Sequence, residues 1–132
     1  MRTMRAVLLL GLLAACGGGS PDAQAMGAGR SYTEWLYQGQ FDRLWQRFAP
    51  EMQRTFPKPG DLAALAGKTA RELGQETGTP VERLTTVGST RVYSRIAHFA
   101  RANQAVELQW TLTDDGRVTG LVVHPVPDSA AR

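Results

Sequence analysis

The sequence predicts an α+β fold, in which two to three helices precede and pack on an antiparallel sheet of about four strands. Apolar residues recur at helical spacing in the first part of the chain, and after Pro80 they recur at every second residue. Helices followed by a run of strands are typical of α+β domains. The 132 residues, 42% of them hydrophobic, suffice for one core and are too few for two.

The first 15 residues have the features of an export signal. Arg2 and Arg5 form a basic start, and residues 6–15 are an uninterrupted apolar run. A membrane-spanning helix needs about 20 apolar residues, so this run is too short for a stable anchor. The whole chain has 15 basic and 12 acidic residues. Removal of the signal takes away Arg2 and Arg5, which leaves 13 basic residues against the same 12 acidic ones. Such a near-neutral domain has no overall attraction to nucleic acid.

Residues 13–16, Leu-Ala-Ala-Cys, resemble a bacterial lipobox. The resemblance implies cleavage before Cys16, diacylglycerol on its sulfur and an acyl chain, such as palmitate, on its amino group. Two or more acyl chains hold a protein stably at a bilayer. We therefore expect a lipoprotein of the bacterial cell envelope that faces the extracytoplasmic side of a membrane. The alternative is a secretory signal with cleavage before Met26, which would release a soluble secreted protein.

The remainder of the chain is predicted to contain one domain with flexible ends. Residues 16–29 are small in composition and are predicted to be a flexible tether between membrane and domain. Residues 30–127 are predicted to form the single α+β domain, and residues 128–132 a frayed tail. Cys16 is the only cysteine, so no intrachain disulfide can form.

Helical spacing defines three segments. Ser31 is expected to cap a short helix that ends near Gly39. In the second segment Pro50 predicts a kink, or a break and restart. The apolar stripe of that segment is Phe41, Leu44, Trp45, Phe48 and Met52. Asp61 is expected to cap a third helix that stops near Gly78. The apolar face of this helix is Leu62, Leu65, Thr69 and Leu73.

Strands are predicted over residues 81–87, 91–101, 105–113 and 117–124. Asp115-Gly116 indicates a two-residue hairpin between the last two strands. The register that follows pairs Asp114 with Arg117, Trp110 with Leu121, Leu108 with Val123, Gln109 with Val122 and Glu107 with His124.

The register of the 91–101 strand depends on the turn that follows it. A two-residue turn at Asn103-Gln104 would place Phe99 beside Leu108 on the apolar face, and His98 beside Gln109 on the polar face. A three-residue turn would reverse the strand and direct His98 inward.

Residues 41–52 (FDRLWQRFAPEM) and 106–125 (VELQWTLTDDGRVTGLVVHP) resemble an uncharacterised family of bacterial extracytoplasmic domains. This family is similar to the nuclear-transport-factor-2-like, cone-shaped α+β fold. The matching positions are mainly packing residues: Phe41, Leu44, Phe48, Met52, Leu108, Gly116 and Gly120. The resemblance implies a curved sheet with a pocket in the cone, and it implies no catalytic residue. Domains of the family often precede serine hydrolases, whereas here a stand-alone domain is expected.

His98, Glu107 and His124 are the sharpest candidates for chemistry. Neighbouring strands lie about 4.8 Å apart, so Glu107 would stand between the two histidines. Such a set could bind zinc, or Glu107 could orient a histidine as a general base. The favoured interpretation is a solvated sheet face with a cross-strand ion pair and with no metal or cofactor, because only two histidines are present.

Arg91, Tyr93 and Arg95 alternate along one predicted strand and are followed by Phe99 and Arg101. Basic residues between aromatic ones can hold anionic or sugar ligands. If this face turns towards the helices, Arg95 would line the pocket and clamp a carboxylate. The alternative is that the aromatic residues are core and the arginines extend past it to solvent.

The sequence favours a non-enzymatic module that binds an envelope protein or a small ligand at the membrane. It contains neither S-x-x-K nor G-x-S-x-G, the motifs of the common serine hydrolases. Two alternatives remain: a small-pocket enzyme of the isomerase, lyase or hydrolase type, and a homodimeric structural domain.

Overall fold

A computed structural model describes residues 19–132 and has the predicted α+β class. Within these residues four helices, rather than the predicted two to three, pack on an open four-stranded antiparallel sheet of strand order β1-β2-β3-β4. The helices are α1 (Pro21–Tyr37), α2 (Phe41–Trp45), α3 (Pro50–Thr55) and α4 (Pro59–Leu73). The strands are β1 (Glu76–Val87), β2 (Thr90–Phe99), β3 (Val106–Leu112) and β4 (Val118–Pro125), followed by a 3₁₀ helix, Asp128–Ala131. The predicted signal and Cys16 lie outside the described residues. Among residues 19–132, no helix combines the length and apolar character needed to span a bilayer.

The prediction of a flexible tether is wrong for residues 21–29, which form the first half of α1. The helix begins well before the predicted cap at Ser31. Ser20 caps it instead, because its hydroxyl accepts a hydrogen bond from the Ala23 N–H at 3.1 Å. Pro21 suits the first helical turn, where no N–H partner is required. Ser20 and Pro21 are thus a helix start signal in the sequence. The glycines that follow, Gly27 and Gly29, predict a flexible segment instead.

Tertiary contacts hold the first half of α1 on the sheet. Asp22 forms an ion pair with Arg91 of β2 at 3.0 Å. Gly29 lies directly on the ring of Tyr93, because a Cβ added to it would stand 2.1 Å from the ring Cγ. A helix that docks its backbone this closely gains packing that its composition alone does not predict.

Pro50 breaks the second helical segment, as predicted. Ahead of it, Ala49 is extended, with φ −67° and ψ 160°, and α3 restarts at the proline. Phe48 forms an isolated parallel bridge with Val118 of β4. The break therefore allows this part of the chain to join the end of the sheet.

Both ends of α4 differ from the prediction. The helix begins at Pro59 rather than at Asp61, whose carboxylate accepts a hydrogen bond from the Lys58 N–H at 3.2 Å. It ends at Gly74, with φ 73°, and not near Gly78. Pro80 therefore lies within β1 and not before it; β1 is an edge strand with a register irregularity beside the proline. Such a position tolerates the missing N–H.

The predicted β3–β4 register is confirmed over most of the hairpin. The observed pairs include Trp110 with Leu121, Leu108 with Val123, Gln109 with Val122 and Glu107 with His124. Close to the turn the prediction is wrong, because an irregularity after Thr111 pairs Leu112 with Val118. Asp114 therefore does not face Arg117; the Arg117 carbonyl accepts from the Thr113 N–H at 2.9 Å.

The β2–β3 register differs from both predicted turns. Tyr93 pairs with Trp110. Leu108 pairs with Arg95 and not with Phe99, the partner that the two-residue turn predicts. Ser94, and not His98, lies opposite Gln109. The connection spans residues 100–105, which is longer than either predicted turn. The observed partner of Leu108 lies four residues before the one that the two-residue turn predicts. Because four is an even number, each β2 side chain stays on the face of the sheet that this turn predicts.

The core lies between α1, α2 and the inner face of the sheet. Trp110 and Tyr93 are fully buried, with Leu44 and Leu62 from the helices. The Trp110 indole donates a hydrogen bond to the Thr33 hydroxyl at 2.9 Å. That hydroxyl donates in turn to the Gly29 carbonyl at 2.8 Å. The polar atoms that enter this core are thus paired with each other.

The predicted frayed tail is ordered over residues 128–131. Asp128 accepts a hydrogen bond from the Ala105 N–H at 2.8 Å, and the Ala130 carbonyl accepts one from Arg83 at 3.0 Å. The 3₁₀ helix packs against β2. Ile96, on the same face of β2 as His98, is 2% exposed. This short helix therefore covers part of the sheet face opposite the core.

Candidate functional site

An open cleft of about 840 Å³ lies between α4 and the inner face of the sheet. α4 packs mainly against α2 rather than directly on the strands, which leaves the space beneath it. The helix side of the cleft consists mostly of small residues: Ala63, Ala66, Gly67, Thr69 and Ala70. The sheet side is apolar: Phe99, Val106, Leu108, Leu121 and Val123.

Side-chain size explains why the cleft is open. Leu62 anchors the first turn of α4 in the core, where it is fully buried. Beyond it, the small residues Ala66, Thr69 and Ala70 line the cleft and leave space that larger side chains would fill. Leu65 and Val123 remain 45% and 40% exposed at the cleft. An exposed apolar concavity of this kind is typical of a binding site.

A partly buried ion pair lies at one end of the cleft. Both carboxylate oxygens of Glu76 accept hydrogen bonds from the Arg95 guanidinium, at 2.6 and 3.0 Å. The Tyr37 hydroxyl donates to the same carboxylate at 2.9 Å. These bonds to Glu76 raise the pKa of Arg95. Burial and the neighbouring carboxylate raise the pKa of Tyr37, so its phenol stays neutral and remains a hydrogen-bond donor.

The predicted ligand-binding strand does turn towards the helices, but its side chains are engaged by this chain. Tyr93 is buried beneath α1, and its hydroxyl donates to Glu82 at 3.2 Å. Arg91 pairs with Asp22 at 3.0 Å and with Asp114 at 2.7 Å. Arg95 pairs with Glu76, as described above.

The other two residues of that strand pattern diverge. Phe99 lines the cleft, and Arg101 donates to the Arg71 carbonyl at 2.8 Å. The carboxylate that Arg95 could clamp is therefore supplied, in this structure, by Glu76 of the same chain.

The structure brings together two members of the predicted polar cluster. His124 Nε2 lies 3.0 Å from Glu107 Oε2, across β3 and β4. His98 is separate, with its Nδ1 4.0 Å from Asp128 Oδ1. Within residues 19–132, no three His, Cys, Asp or Glu side chains are arranged to hold a metal ion.

Opposing influences act on the pKa of Glu107. Burial raises it, but hydrogen bonds with Gln109 and Ser94 and the nearby His124 outweigh burial and lower the pKa overall. Glu107 is therefore ionised at neutral pH, and neighbouring side chains stabilise its carboxylate by hydrogen bonds. This suits an ion pair better than a general acid.

Sequence reasoning did not identify Glu76, Tyr37 or the alanines of α4 as site residues. The alanines carried a usable signal, since Ala63, Ala66 and Ala70 share the face that begins at Leu62. Glu76 carried none, because it lies before the predicted start of the first strand. Comparison of the chain with protein-family models, curated proteins and solved structures finds no significant match.

Proposed function

We propose that this chain is a lipid-anchored protein of the bacterial cell envelope whose domain binds an apolar small molecule in the cleft beneath α4. The cleft itself carries the proposal. Its volume of about 840 Å³ falls within the range of roughly 300–1,000 Å³ found for small-molecule sites. Its walls are mainly apolar, with polar side chains that include Tyr37, Glu76, Asn103 and Gln104. We infer a binding module rather than an enzyme, because Tyr37 and Glu76 are held in hydrogen bonds within this chain.

The proposal includes a nuclear-transport-factor-2-like cone. Three features support it: helices on one face of an antiparallel sheet, irregularities in the edge strands β1 and β4, and a cleft between sheet and helix. Irregularities of this kind bend strands and favour curved sheets. The resemblance of residues 41–52 and 106–125 to domains of that type points the same way.

The lipobox supports the anchor, and α1 indicates how the anchored domain is oriented. Only a few residues separate Cys16 from the helix cap at Ser20. Fully extended, they reach roughly 14 Å, so the start of α1 stays close to the bilayer. The helix has 17 residues and is about 25 Å long. Tyr37, its last residue, lies at the cleft. The cleft is therefore at the end of α1 that points away from the anchor.

Native mass spectrometry of the protein, extracted from its own envelope in mild detergent, tests both parts. We expect the mass of residues 16–132 plus acyl groups, together with a co-purifying apolar molecule. A mass for residues 26–132 without lipid would contradict the anchor. A protein that emerges empty, and that remains empty when lipid extract is added back, would contradict the binding site.

Two matched variants of α4 locate the bound molecule. Ala66→Phe places a large ring in the cleft wall, and we expect it to reduce occupancy at least about tenfold through the lost space. Ala64→Phe, an exposed residue of the same helix that does not line the cleft, is the control. Equal occupancy in both variants would show that the molecule binds elsewhere.

A further inference from the structure

The charges around the cleft restrict the ligands that it can hold; this inference rests on the proposed function. Among the described residues that line the cleft, none is lysine or arginine. Besides Tyr37, the titratable side chains in its lining are Glu72, Glu76 and His124. A carboxylate or phosphate head group would therefore lose its water without gaining a cation from the wall.

Arg95 stands behind this wall, bound to Glu76, and its guanidinium is not available to a ligand. Its side chain is 20% exposed and that of Glu76 is 14% exposed, and the two form a two-point ion pair. An anionic ligand would have to displace Glu76 from it. Displacement would leave a carboxylate largely buried without its partner, which is strongly unfavourable.

A cationic ligand is no better served. Glu76 is neutralised by Arg95, and His124 is paired with Glu107 at 3.0 Å. Glu72 is largely exposed and lies 4.0 Å from Lys68. Solvent screens such an exposed carboxylate, so it offers little attraction to an ammonium group.

We propose that the cleft selects uncharged amphiphiles, such as long-chain alcohols and acylglycerols, over fatty-acid anions of the same chain length. The apolar chain packs between the alanines of α4 and the strands. The hydroxyl or ester head lies where neutral hydrogen-bonding groups line the cleft, at Tyr37, Asn103 and Gln104. These groups can pair with a neutral head and cannot neutralise a charged one.

The test uses the full lipoprotein in lipid nanodiscs, with empty nanodiscs to correct for partition into the bilayer. Radiolabelled dodecanol, monododecanoylglycerol, dodecanoate and dodecylammonium are compared by equilibrium binding at pH 8. We expect both neutral probes to bind at least about tenfold more tightly than either charged probe, which corresponds to about 1.4 kcal/mol. Dodecanoate or dodecylammonium binding as tightly as the alcohol would overturn the inference.

The four probes also separate this inference from the proposed function. If all of them bind alike, the cleft is a binding site without charge selectivity, and only the inference fails. If none binds to the protein, while Ala66→Phe and Ala64→Phe behave identically, the proposed function fails and the inference fails with it.

Glu76→Gln supplies a gain of binding that a damaged fold could not imitate. The substitution keeps the size of the side chain and releases the Arg95 guanidinium from its carboxylate partner. We expect the affinity for dodecanoate to rise until it approaches that for dodecanol. Glu72→Gln removes a charge from the same cleft without an arginine partner and should leave the ratio within about twofold. An unchanged ratio in Glu76→Gln would contradict the role assigned to the ion pair.

Discussion

The two ends of the inner sheet face are covered by helices in opposite ways. At one end α1 lies directly on β2, with Gly29 against the ring of Tyr93. At the other end α4 is held away from β3 and β4, and a cleft of about 840 Å³ separates them. Both helices present small residues to the sheet, yet one interface is closed and the other is open.

The difference shows that small residues permit a close approach but do not cause it. α1 lies close to the sheet because its residues form specific contacts with the strands. Among them are the hydrogen bond from Trp110 to Thr33 and the ion pair of Asp22 with Arg91. α4 is anchored through Leu62 and through its packing on α2. Its alanines face space that no strand side chain fills. The stability of the domain is therefore expected to depend on the α1 end, and its binding capacity on the α4 end.

Gly29→Ala should have the largest effect on stability, because the added methyl group forces α1 away from Tyr93. The new Cβ would stand 2.1 Å from Tyr93 Cγ, and both atoms belong to elements that cannot yield easily. We expect the free energy of unfolding to fall by about 2–3 kcal/mol. Denaturant unfolding followed by tryptophan fluorescence measures this loss.

Gly27→Ala is the matched control in the same helix. A Cβ at Gly27 would have no neighbour within 4 Å, and the residue is exposed. Alanine should then raise the free energy of unfolding by about 0.5–1 kcal/mol through its higher helix propensity. If both substitutions stabilise the domain alike, α1 does not lie against Tyr93 as the structure has it.

Thr33→Val should have the next largest effect, because it leaves the Trp110 indole N–H of the closed interface without its partner. Valine has nearly the same shape as threonine, but it can neither accept from the Trp110 indole nor donate to the Gly29 carbonyl. We expect a loss of about 1–3 kcal/mol in equilibrium unfolding. Thr33→Ser retains the hydroxyl and should recover most of the loss. A serine variant as unstable as the valine variant would assign the effect to the methyl group.

The β3–β4 hairpin could be predicted because its signals are local. The alternation of Leu108 and Trp110 defines the inner face, and Asp115-Gly116 places the turn. The register irregularity after Thr111 could not be predicted, since it depends on how Val118 bridges to Phe48 far back in the chain.

The errors at both termini have a common physical origin. Residues 21–29 and 128–131 are poor in bulky apolar groups, so their composition predicts flexible segments. They are ordered by distant partners, as when Asp22 reaches Arg91 and Asp128 reaches the Ala105 N–H. No local pattern in the sequence reports such contacts.

The candidate site was predicted only in outline. The sequence indicated a pocket through a resemblance, and it indicated that the strand bearing Arg95 could face the helices. It could not show that Glu76 would form an ion pair with Arg95. That pairing requires α4 to end at Gly74 and β1 to begin earlier than predicted. The separation of His98 from Glu107 likewise follows from the length of the 100–105 connection.

Glu107→Gln should have the smallest effect, because it alters a pair on the sheet face opposite the core. His124, its partner, is 43% exposed, so solvent weakens the attraction. The folded state lowers the pKa of Glu107, and its carboxylate therefore stabilises the fold above the unfolded value of about 4.3. That contribution is lost as the pH falls through the lower, folded-state pKa.

We accordingly expect Glu107→Gln to cost less than about 1 kcal/mol at pH 7, and the difference from the unchanged protein to vanish at the acidic end of a pH series of unfolding curves. A His124→Gln variant and the double variant complete a cycle that isolates the pair. A difference that stays constant down to low pH would mean that the carboxylate charge is not what Glu107 contributes. A cost as large as that of Thr33→Val would place a determinant of stability at the cleft end of the sheet, and the proposed division between a stabilising α1 end and a binding α4 end would have to be abandoned.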